Sequence, residues 1–354
     1  MKRSVIRGNL VAGLLFLAGC SSAPVQAPGK AWHHLNNGQF RNPPGSPTST
    51  ATFGDLTAFF WRRARAKPPT VPTDHVIPQA DALAAYEATA NQDTATWLGH
   101  ATFLLRLEGK TVLTDPYLTK VAGPFGFGPK RYVAPGLPLD RLPPIDIILV
   151  SHNHYDHLDA KTVEALPGKE RIHVVVPLRL GDFFRERGYV NVHENDWFER
   201  VVIDGIEIEV LPAIHFSRRG LFDRNRTLWG GFAIRAGGRS IYHSGDTGYG
   251  PIFSEVNRRS GPFDLALVAI GAYKPRSIMR RSHVTPEQAV QLVDDIGAKR
   301  AIGMHWGTVE LTDEPHFEPG KRFLKAAHAA GWIEGRARIM KIGETLVLSP
   351  LTAS

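Results

Sequence analysis

Short apolar runs separated by glycine, proline and charged residues dominate the chain from about residue 94 onward. Residues 145–150, Ile-Asp-Ile-Ile-Leu-Val, are typical of a buried strand. Apolar and polar positions alternate on both sides of a glycine turn in 201–211 and again in 231–243, which predicts two hairpins. Further strands are predicted at 96–99, 102–107, 111–114, 173–176, 265–270 and 301–304.

Three stretches between these strands predict helices. One begins near Asp159, and a second covers residues 178–187. The third runs to about Ile296 and opens with Thr285-Pro286-Glu287-Gln288, which supplies an N-cap, a proline at the first position and a capping-box glutamine. Strands in two groups with helices interspersed predict a fold of the α/β (α+β) class.

The loop after the apolar strand carries unusual chemistry. Residues 151–159, SHNHYDHLD, hold three histidines and two aspartates, and burying them unpaired is costly. In an extended loop His152 and His154 point the same way and can share one cation, whereas Asp156 and His157 face a neighbouring one. Nitrogen and carboxylate ligands without sulfur suit zinc, and also iron or manganese.

Four residues cannot complete two such sites, so further ligands must come from later strand ends. The candidates are His215, Asp246 and His305. A carboxylate such as Asp246 can bridge two cations, and a bridging hydroxide can lie opposite it. Isolated histidines at strand ends are common, so for His215 and His305 taken singly a structural role remains open.

Composition limits the partners. Of the 354 residues, 43% are hydrophobic and 21% charged, which is enough for a globular core. The formal charge of +8 suits an anionic partner such as a phospholipid surface or a phosphorylated substrate. The sequence has no long basic stripe, RNA-binding signature or zinc finger, so we expect no nucleic-acid partner.

The single cysteine, Cys20, excludes an intrachain disulfide. It follows a basic start, an apolar segment at 10–18 and the tetrapeptide Leu-Ala-Gly-Cys, a pattern that resembles a bacterial lipobox. Residues 1–20 are therefore expected to be a lipoprotein signal peptide, with Cys20 acylated; the alternative is a secreted protein with an unmodified cysteine. Ser21 is typical of outer-membrane sorting, which predicts a lipid-anchored protein of the bacterial cell envelope that faces the periplasm.

Two segments follow the signal peptide. Residues 21–93 are expected to form a tether and an N-terminal arm, and residues 94–350 the main folded domain. Within the arm, residues 56–65 run from aromatic residues into arginines. That composition suits the interface of an anionic membrane; the alternative is a segment docked on the body by its aromatic rings.

The complete pattern resembles a known superfamily. The histidine motif at 152–157, followed by His215, Gly-Asp-Thr-Gly at 245–248 and His305, is similar to the metallo-β-lactamase superfamily, whose four-layer αββα sandwich binds one or two metals at the sheet edges. More blocks resemble the N-acylphosphatidylethanolamine-hydrolysing phospholipase D family. They lie at 33–34, 38–43, 97–102, 113–116, 128–131, 142–146, 151–159, 245–249, 261–266, 270–273 and 305–308.

This resemblance implies a role for each site residue. One zinc is held by His152, His154 and His215, the other by Asp156, His157 and His305, and Asp246 is shared. Tyr155 and His283 would contact the phosphate region of the lipid, although Tyr155 could be a packing ring and His283 a capping or surface histidine. His100 and Asp115 are expected to orient ligands or to pack beside the site rather than to bind metal.

The implied reaction is phospholipase D-type hydrolysis, with Asp156 and Asp246 as the catalytic residues. A hydroxide bridging the metals attacks phosphorus and yields phosphatidic acid and an N-acylethanolamine. The alternatives are another phosphodiesterase or a lactonase on the same scaffold, a β-lactamase, and a noncatalytic metal-binding envelope lipoprotein. Residues 276–288 match the family only in part, so the preference for acyl chains stays open.

Overall fold

The structure, a computed structural model, describes residues 24–348 and contains fourteen strands within that range. Seven belong to the first sheet: β1 (Thr94–Gly99), β2 (Thr102–Leu107), β3 (Lys110–Thr114), β4 (Ile147–Leu149), β5 (His173–Pro177), β6 (Asn191–Asn195) and β14 (Thr345–Val347). The other seven belong to the second sheet: β7 (Arg200–Ile203), β8 (Ile206–Leu211), β9 (Gly231–Ala236), β10 (Arg239–His243), β11 (Leu265–Ala269), β12 (Ala301–Met304) and β13 (Ala337–Arg338).

Both sheets are mixed. The spatial order is β14-β1-β2-β3-β4-β5-β6 in the first sheet and β13-β12-β11-β10-β9-β8-β7 in the second. β1, β2 and β3 pair antiparallel, whereas β3 to β6 are parallel. In the second sheet β7 to β10 are antiparallel and β10 to β13 parallel. Parallel neighbours need long crossovers, and most of the helices and the loops after β4, β10 and β12 lie in these connections.

Eight α-helices occur in the described range. They are α1 (Phe53–Arg65), α2 (Gln79–Ala88), α3 (Ala160–Ala165), α4 (Gly181–Arg185), α5 (Ile252–Ser260), α6 (Arg276–Met279), α7 (Pro286–Asp295) and α8 (Glu318–Ala329). Two short 3₁₀ turns lie at Pro124–Gly126 and Leu139–Arg141. Between residues 24 and 348, no helix has the length and apolar character needed to cross a membrane.

The alternation of side chains along β2 explains the layers. Phe103 and Leu105 point into the core between the two sheets, whereas Leu104 points to the other face, where it joins a cluster with Val163 of α3 and Phe184 of α4. Residues of α7 and α8 pack on the outer face of the second sheet. The result is helices, sheet, sheet and helices, so the predicted four-layer αββα sandwich is confirmed.

Two helices differ from their sequence-based expectation. The helix predicted at 178–187 is only α4, because β5 continues to Pro177 and Arg179 adopts a left-handed φ of 66°, which delays the helix start. The aromatic run of the arm is a full helix, α1, with a capping box between Thr52 and Asp55. The capping box predicted at Thr285 for α7 is present.

Candidate metal centre

The predicted ligands meet where connections leave the strands at one edge of the two sheets. Loop 151–159 follows β4, His215 follows β8, Asp246 follows β10 and His305 follows β12. His154 and Asp156 are partly exposed, and the other five residues are buried. A rigid pair of sheets thus presents seven ligand side chains to one small volume.

The first cluster consists of His152, His154 and His215. Nδ1 of His154 lies 2.8 Å from Nε2 of His152 and 3.2 Å from Nε2 of His215. Three imidazole nitrogens therefore point at one another, and all three lie within 4.8 Å. A cation among them would satisfy all three lone pairs at once.

The second cluster consists of Asp156, His157 and His305. The Nε2 atoms of the two histidines are 3.2 Å apart. Oδ2 of Asp156 lies 3.7 Å from Nε2 of His157 and 3.8 Å from Nε2 of His305. His100 adds a fourth nitrogen, 3.0 Å from Oδ2 of Asp156. The His100 ring is also close to that of His305, with centroids 3.9 Å apart.

Asp246 lies between the two clusters. Its Oδ1 is 3.0 Å from Nε2 of His305, and its Oδ2 is 3.2 Å from Nε2 of His157 and 3.8 Å from Nε2 of His215. The preceding Gly245 has φ 54°, and a Cβ there would lie 2.7 Å from a backbone oxygen. Glycine is therefore needed to bring this carboxylate between the clusters.

The ligands are held from behind by hydrogen bonds. Nδ1 of His157 lies 2.8 Å from Oδ2 of Asp115, which also accepts from the Ser151 hydroxyl. Nδ1 of His215 lies 3.0 Å from the Ser282 carbonyl oxygen. Such contacts fix the ring orientation and leave Nε2 free to face a cation.

Backbone strain marks the same place. His100, Asp115 and His305 have φ values of 56°, 38° and 63°, in the left-handed region that residues other than glycine rarely adopt. The amide of His305 donates to the carbonyl of His100 over 2.9 Å, so two of these strained residues hold each other. Strained conformations are typical of functional sites.

Burial controls protonation in the first cluster. It lowers the pKa of His154 to about 4 and that of His215 to about 3, and it holds the pKa of His152 well below its usual range. All three imidazoles are therefore neutral at pH 7. Neutral imidazole is the form that binds metals.

In the second cluster, carboxylates outweigh burial. Burial alone would lower the pKa of His305, but Asp246 and Asp156 raise it to about 9. Burial is likewise outweighed at His157, whose pKa is held well above its usual range by Asp246, Asp156 and Asp115. Without a cation, these two histidines carry protons at pH 7.

The donor set fits divalent metal ions. Ligands about 2.0–2.1 Å from a tetrahedral zinc ion lie about 3.3 Å apart, and the separations within both clusters fall around that value. Oδ1 of Asp246 is buried and makes no hydrogen bond, although a histidine nitrogen is 3.0 Å away. A cation bound at this place would be a partner for that oxygen.

The two predicted substrate contacts are placed differently. His283 faces the centre: its buried Nδ1 has no hydrogen-bond partner and lies 3.8 Å from Oδ2 of Asp246. Tyr155 lies at the rim, where its hydroxyl donates to the Arg219 carbonyl over 3.0 Å and the Arg219 guanidinium covers its ring at 4.0 Å. Cys20 lies outside the described residues.

Other histidines lie away from the centre. The Nε2 atoms of His33 and His34 lie 2.6 Å from opposite oxygens of Asp196, which attaches the N-terminal arm to the body. Nε2 of His243 lies 3.2 Å from the Ala101 carbonyl oxygen, and that of His75 lies 2.7 Å from the Gly307 carbonyl oxygen. Each of these rings has a structural partner.

One supporting residue escaped sequence reasoning. The side chain of Asn42, in the arm, accepts from the amide of His215 over 2.9 Å and donates to its carbonyl over 2.8 Å. Asn42 thus holds the backbone of a predicted metal-ligating residue that lies 173 positions later in the chain. The only sequence signal was its position in the block 38–43, which contributes to the family resemblance but to which the resemblance assigns no function.

Comparisons with known proteins agree with this geometry. Residues 110–306 match the family described as "Beta-lactamase superfamily domain". An uncharacterised protein of Mycobacterium bovis, Mb0930, is 35% identical over 318 residues, which cover 87% of this chain and 83% of that protein. The N-acyl-phosphatidylethanolamine-hydrolyzing phospholipase D 1 of Caenorhabditis elegans is 42% identical over 238 residues, covering 64% of this chain and 67% of that protein.

A metal-dependent hydrolase of Pelotomaculum thermopropionicum is 32% identical over 258 residues, which cover 72% of this chain and 99% of that protein. Among solved structures, isothiocyanate hydrolase from Delia radicum gut bacteria aligns with a TM-score of 0.58 at 19% identity, covering 73% of this chain and 100% of that chain. At this identity the structural likeness concerns the fold alone. The chain belongs to the beta-lactamase superfamily, as one of its metallo-hydrolases.

Proposed function

We propose that this metallo-hydrolase is a phosphodiesterase of the phospholipase D type, which hydrolyses N-acylphosphatidylethanolamine to phosphatidic acid and an N-acylethanolamine. The observation that carries the proposal is the position of Asp246, with one oxygen towards His305 and the other between His157 and His215. That position allows two cations to be held side by side. The 42% identity to a C. elegans protein named for this activity supports the choice of substrate.

Two zinc ions, with iron or manganese as alternatives, would lower the pKa of a water molecule and stabilise charge on the phosphoryl oxygens. In the reaction, the oxygen of water bonds to phosphorus and the bond from phosphorus to the ethanolamine oxygen breaks. One proton of the water ends on the released alcohol. Asp156 and Asp246 serve by holding the ligand clusters at a fixed separation, and no protein nucleophile is required.

His283 is suited to bind the phosphate. Burial lowers its pKa to about 3, so the ring is neutral at pH 7, and its buried Nδ1 has no partner. A neutral imidazole can donate a hydrogen bond to a phosphoryl oxygen without adding another positive charge beside the cations. The contribution of Tyr155 would come from its ring, because its hydroxyl is engaged by the Arg219 carbonyl.

Helix α1 is suited to contact a lipid surface. Its body-facing side buries Phe59, and Arg62 and Arg63 pair with Asp313 and Glu310 in the segment that follows β12. Its outer side exposes large apolar rings: Phe53 is 82%, Phe60 65% and Trp61 60% exposed. A fixed helix that turns aromatic rings outward is typical of membrane-interface binding. We therefore propose the phospholipid bilayer as a partner, with acylated Cys20 as the anchor in the cell envelope.

An activity assay tests the main proposal. Purified protein, with and without chelator, is incubated with N-acylphosphatidylethanolamine, with ordinary phospholipids and with a generic phosphodiester. We expect chelator-sensitive release of an N-acylethanolamine. Metal-dependent turnover of the generic ester alone would remove the lipid assignment, and turnover of no substrate would favour a noncatalytic metal-binding protein.

Anchoring is tested separately from activity. Cells that express the full chain are fed a labelled fatty acid, and label is expected on the wild-type protein but not on Cys20→Ser. Unlabelled wild-type protein would refute acylation without affecting the assignment of the reaction.

A further inference from the structure

Three arginines beside the metal centre lack carboxylate partners. Among residues 24–348, the guanidinium groups of Arg218, Arg224 and Arg281 have no ion-pair contact with an acidic side chain. By contrast, several exposed arginines have acidic partners: Arg258 pairs with Glu255 at 2.6 Å, Arg322 with Glu287 at 2.6 Å and Arg336 with Asp294 at 2.5 Å. These three guanidinium groups lie close enough together for the charges of Arg218 and Arg281 to act on Arg224.

Phe216 connects these arginines to the first cluster. The ζ carbon of Arg224 lies 4.9 Å from the centre of its ring, and that of Arg281 lies 5.5 Å away. The same ring stacks on His215 at 4.8 Å and meets His154 edge-on at 4.6 Å. Two guanidinium groups are thus held one aromatic ring away from the metal ligands.

The arrangement is unfavourable without an anion. Burial, together with the positive charges of Arg281 and Arg218, lowers the pKa of Arg224, so like charges act on one another there. Nε of Arg281 is buried and has no hydrogen-bond partner. The neighbouring Asp223 forms no ion pair with these guanidinium groups: its Oδ2 accepts from the backbone amides of Arg219 and Gly220, and its Oδ1 is buried without a hydrogen-bond partner.

A cleft of about 280 Å³ lies against these groups. It is lined by Asn42, Pro47, Thr48, Ser49, His215, Phe216, Arg224, Asn225 and Arg281. The lining combines two guanidinium groups with hydroxyl and amide groups and contains no acidic side chain. Its size suits a small anionic group rather than a macromolecule, and guanidinium forks bind carboxylate or phosphate in two-pronged fashion.

We propose that this cleft is a subsite for a second anionic group, a carboxylate or a phosphate, carried by the head group of the substrate. The inference rests on the proposed phosphodiesterase function and extends its substrates to N-acyl phospholipids whose head group carries an anionic group that N-acylphosphatidylethanolamine lacks. The scissile phosphodiester lies at the metal ligands, and Arg224 and Arg281 hold the additional charge beyond Phe216. Arg218 adds to the positive potential without entering the lining of the cleft.

Matched lipids that differ by one carboxylate test the subsite. N-acylphosphatidylserine is compared with N-acylphosphatidylethanolamine, and N-succinyl- with N-butanoyl-phosphatidylethanolamine, all in neutral detergent micelles with the metal-loaded protein. For at least one pair we expect kcat/KM to favour the acidic lipid about tenfold, as for a hydrogen bond between charged groups. The preference should reside in KM, because the subsite binds a group that does not react.

Variants separate the subsite from general effects. Arg224→Gln and Arg281→Gln are expected to bring the ratio close to one while kcat/KM for the lipids without the added carboxylate stays within about threefold. Arg281→Lys should retain part of the preference. The control is Arg258→Gln, which removes an exposed arginine paired with Glu255 on α5 and should leave the ratio unchanged.

Each contrary result has a distinct meaning. Equal kcat/KM values within both lipid pairs, or a preference that survives both glutamine variants, would overturn the subsite and leave the proposed function intact. If vesicles of phosphatidylglycerol stimulate turnover of all the lipids alike, and Arg224→Gln abolishes this stimulation, the cleft binds the head group of a membrane lipid. The assignment of the cleft to the head group of the substrate is then wrong. Turnover of none of the lipids would overturn the proposed function and this inference together.

Discussion

The two ligand clusters of the metal centre differ in charge before a cation arrives. In the first cluster, burial keeps the imidazoles neutral, with pKa values of about 4 for His154 and about 3 for His215. In the second, Asp246 and Asp156 raise the pKa of His305 to about 9. The first cluster therefore offers free lone pairs at pH 7, whereas the second must exchange protons for its cation. Similar ligand types thus give two sites with different binding thermodynamics.

Removing the residue between the clusters should have the largest effect. Asp246→Asn weakens both cation sites, and we expect loss of bound metal and of activity to the detection limit, measured by elemental analysis and by the lipid assay. His154→Ala should likewise lose metal and activity, with the deficit at the first cluster. Full activity in either variant would remove the mechanism.

Proton release should distinguish the clusters. At pH 7 the metal-free His157 and His305 lie below their raised pKa values and are protonated, so these two side chains should release about two protons per chain when the second cluster binds its cation, in addition to the proton of a water that the cations ionise. The first cluster should release none, because its pKa values lie below 7. Release from His305 should disappear as the pH passes about 9.

Calorimetry of metal uptake in buffers with different ionisation enthalpies measures this number. His305→Ala should lower it by about one, since that histidine is a proton carrier with a raised pKa. Enthalpies that do not depend on the buffer would contradict the difference between the clusters.

A smaller effect is expected behind the second cluster. Asp115→Asn weakens the hydrogen bond that orients His157, and we expect metal affinity there to fall by roughly 10–100-fold. The loss at the first cluster should be smaller, because Asp115 reaches His152 only through the Ser151 hydroxyl, which lies 2.9 Å from its Nδ1. Competition with a chromogenic chelator gives both affinities. Asp196→Asn is a matched control, because that carboxylate binds His33 and His34 away from the centre; an equal loss in both variants would indicate general destabilisation.

Local sequence patterns were sufficient to predict the strands of the two sheets and the meeting of the candidate metal ligands at one edge of the sheets. Alternation in residues 201–211 and 231–243 and the buried run at β4 predicted strands of both sheets, and the spacing of the histidine loop predicted which residues share a cation. The family resemblance supplied the assignment of the later ligands. The structure brings all of these side chains together.

Contacts between distant segments were beyond such patterns. Nothing near Asn42 in the sequence indicates that its side chain will form hydrogen bonds with the backbone of His215. That pairing depends on how the arm folds over the second sheet. Arg224 and Arg281 are ordinary surface residues until Phe216 brings them together. The extent of α4 depended on a left-handed Arg179 that tertiary packing imposes.

The two hydrogen bonds between the Asn42 side chain and the His215 backbone affect when the metal centre can form during synthesis of the chain. Asn42 is synthesised early and His215 much later, and the second cluster is incomplete until His305 has been synthesised. A complete coordination shell can therefore form only after the ribosome has made most of the protein. Metal capture should stabilise a nearly finished fold rather than nucleate it.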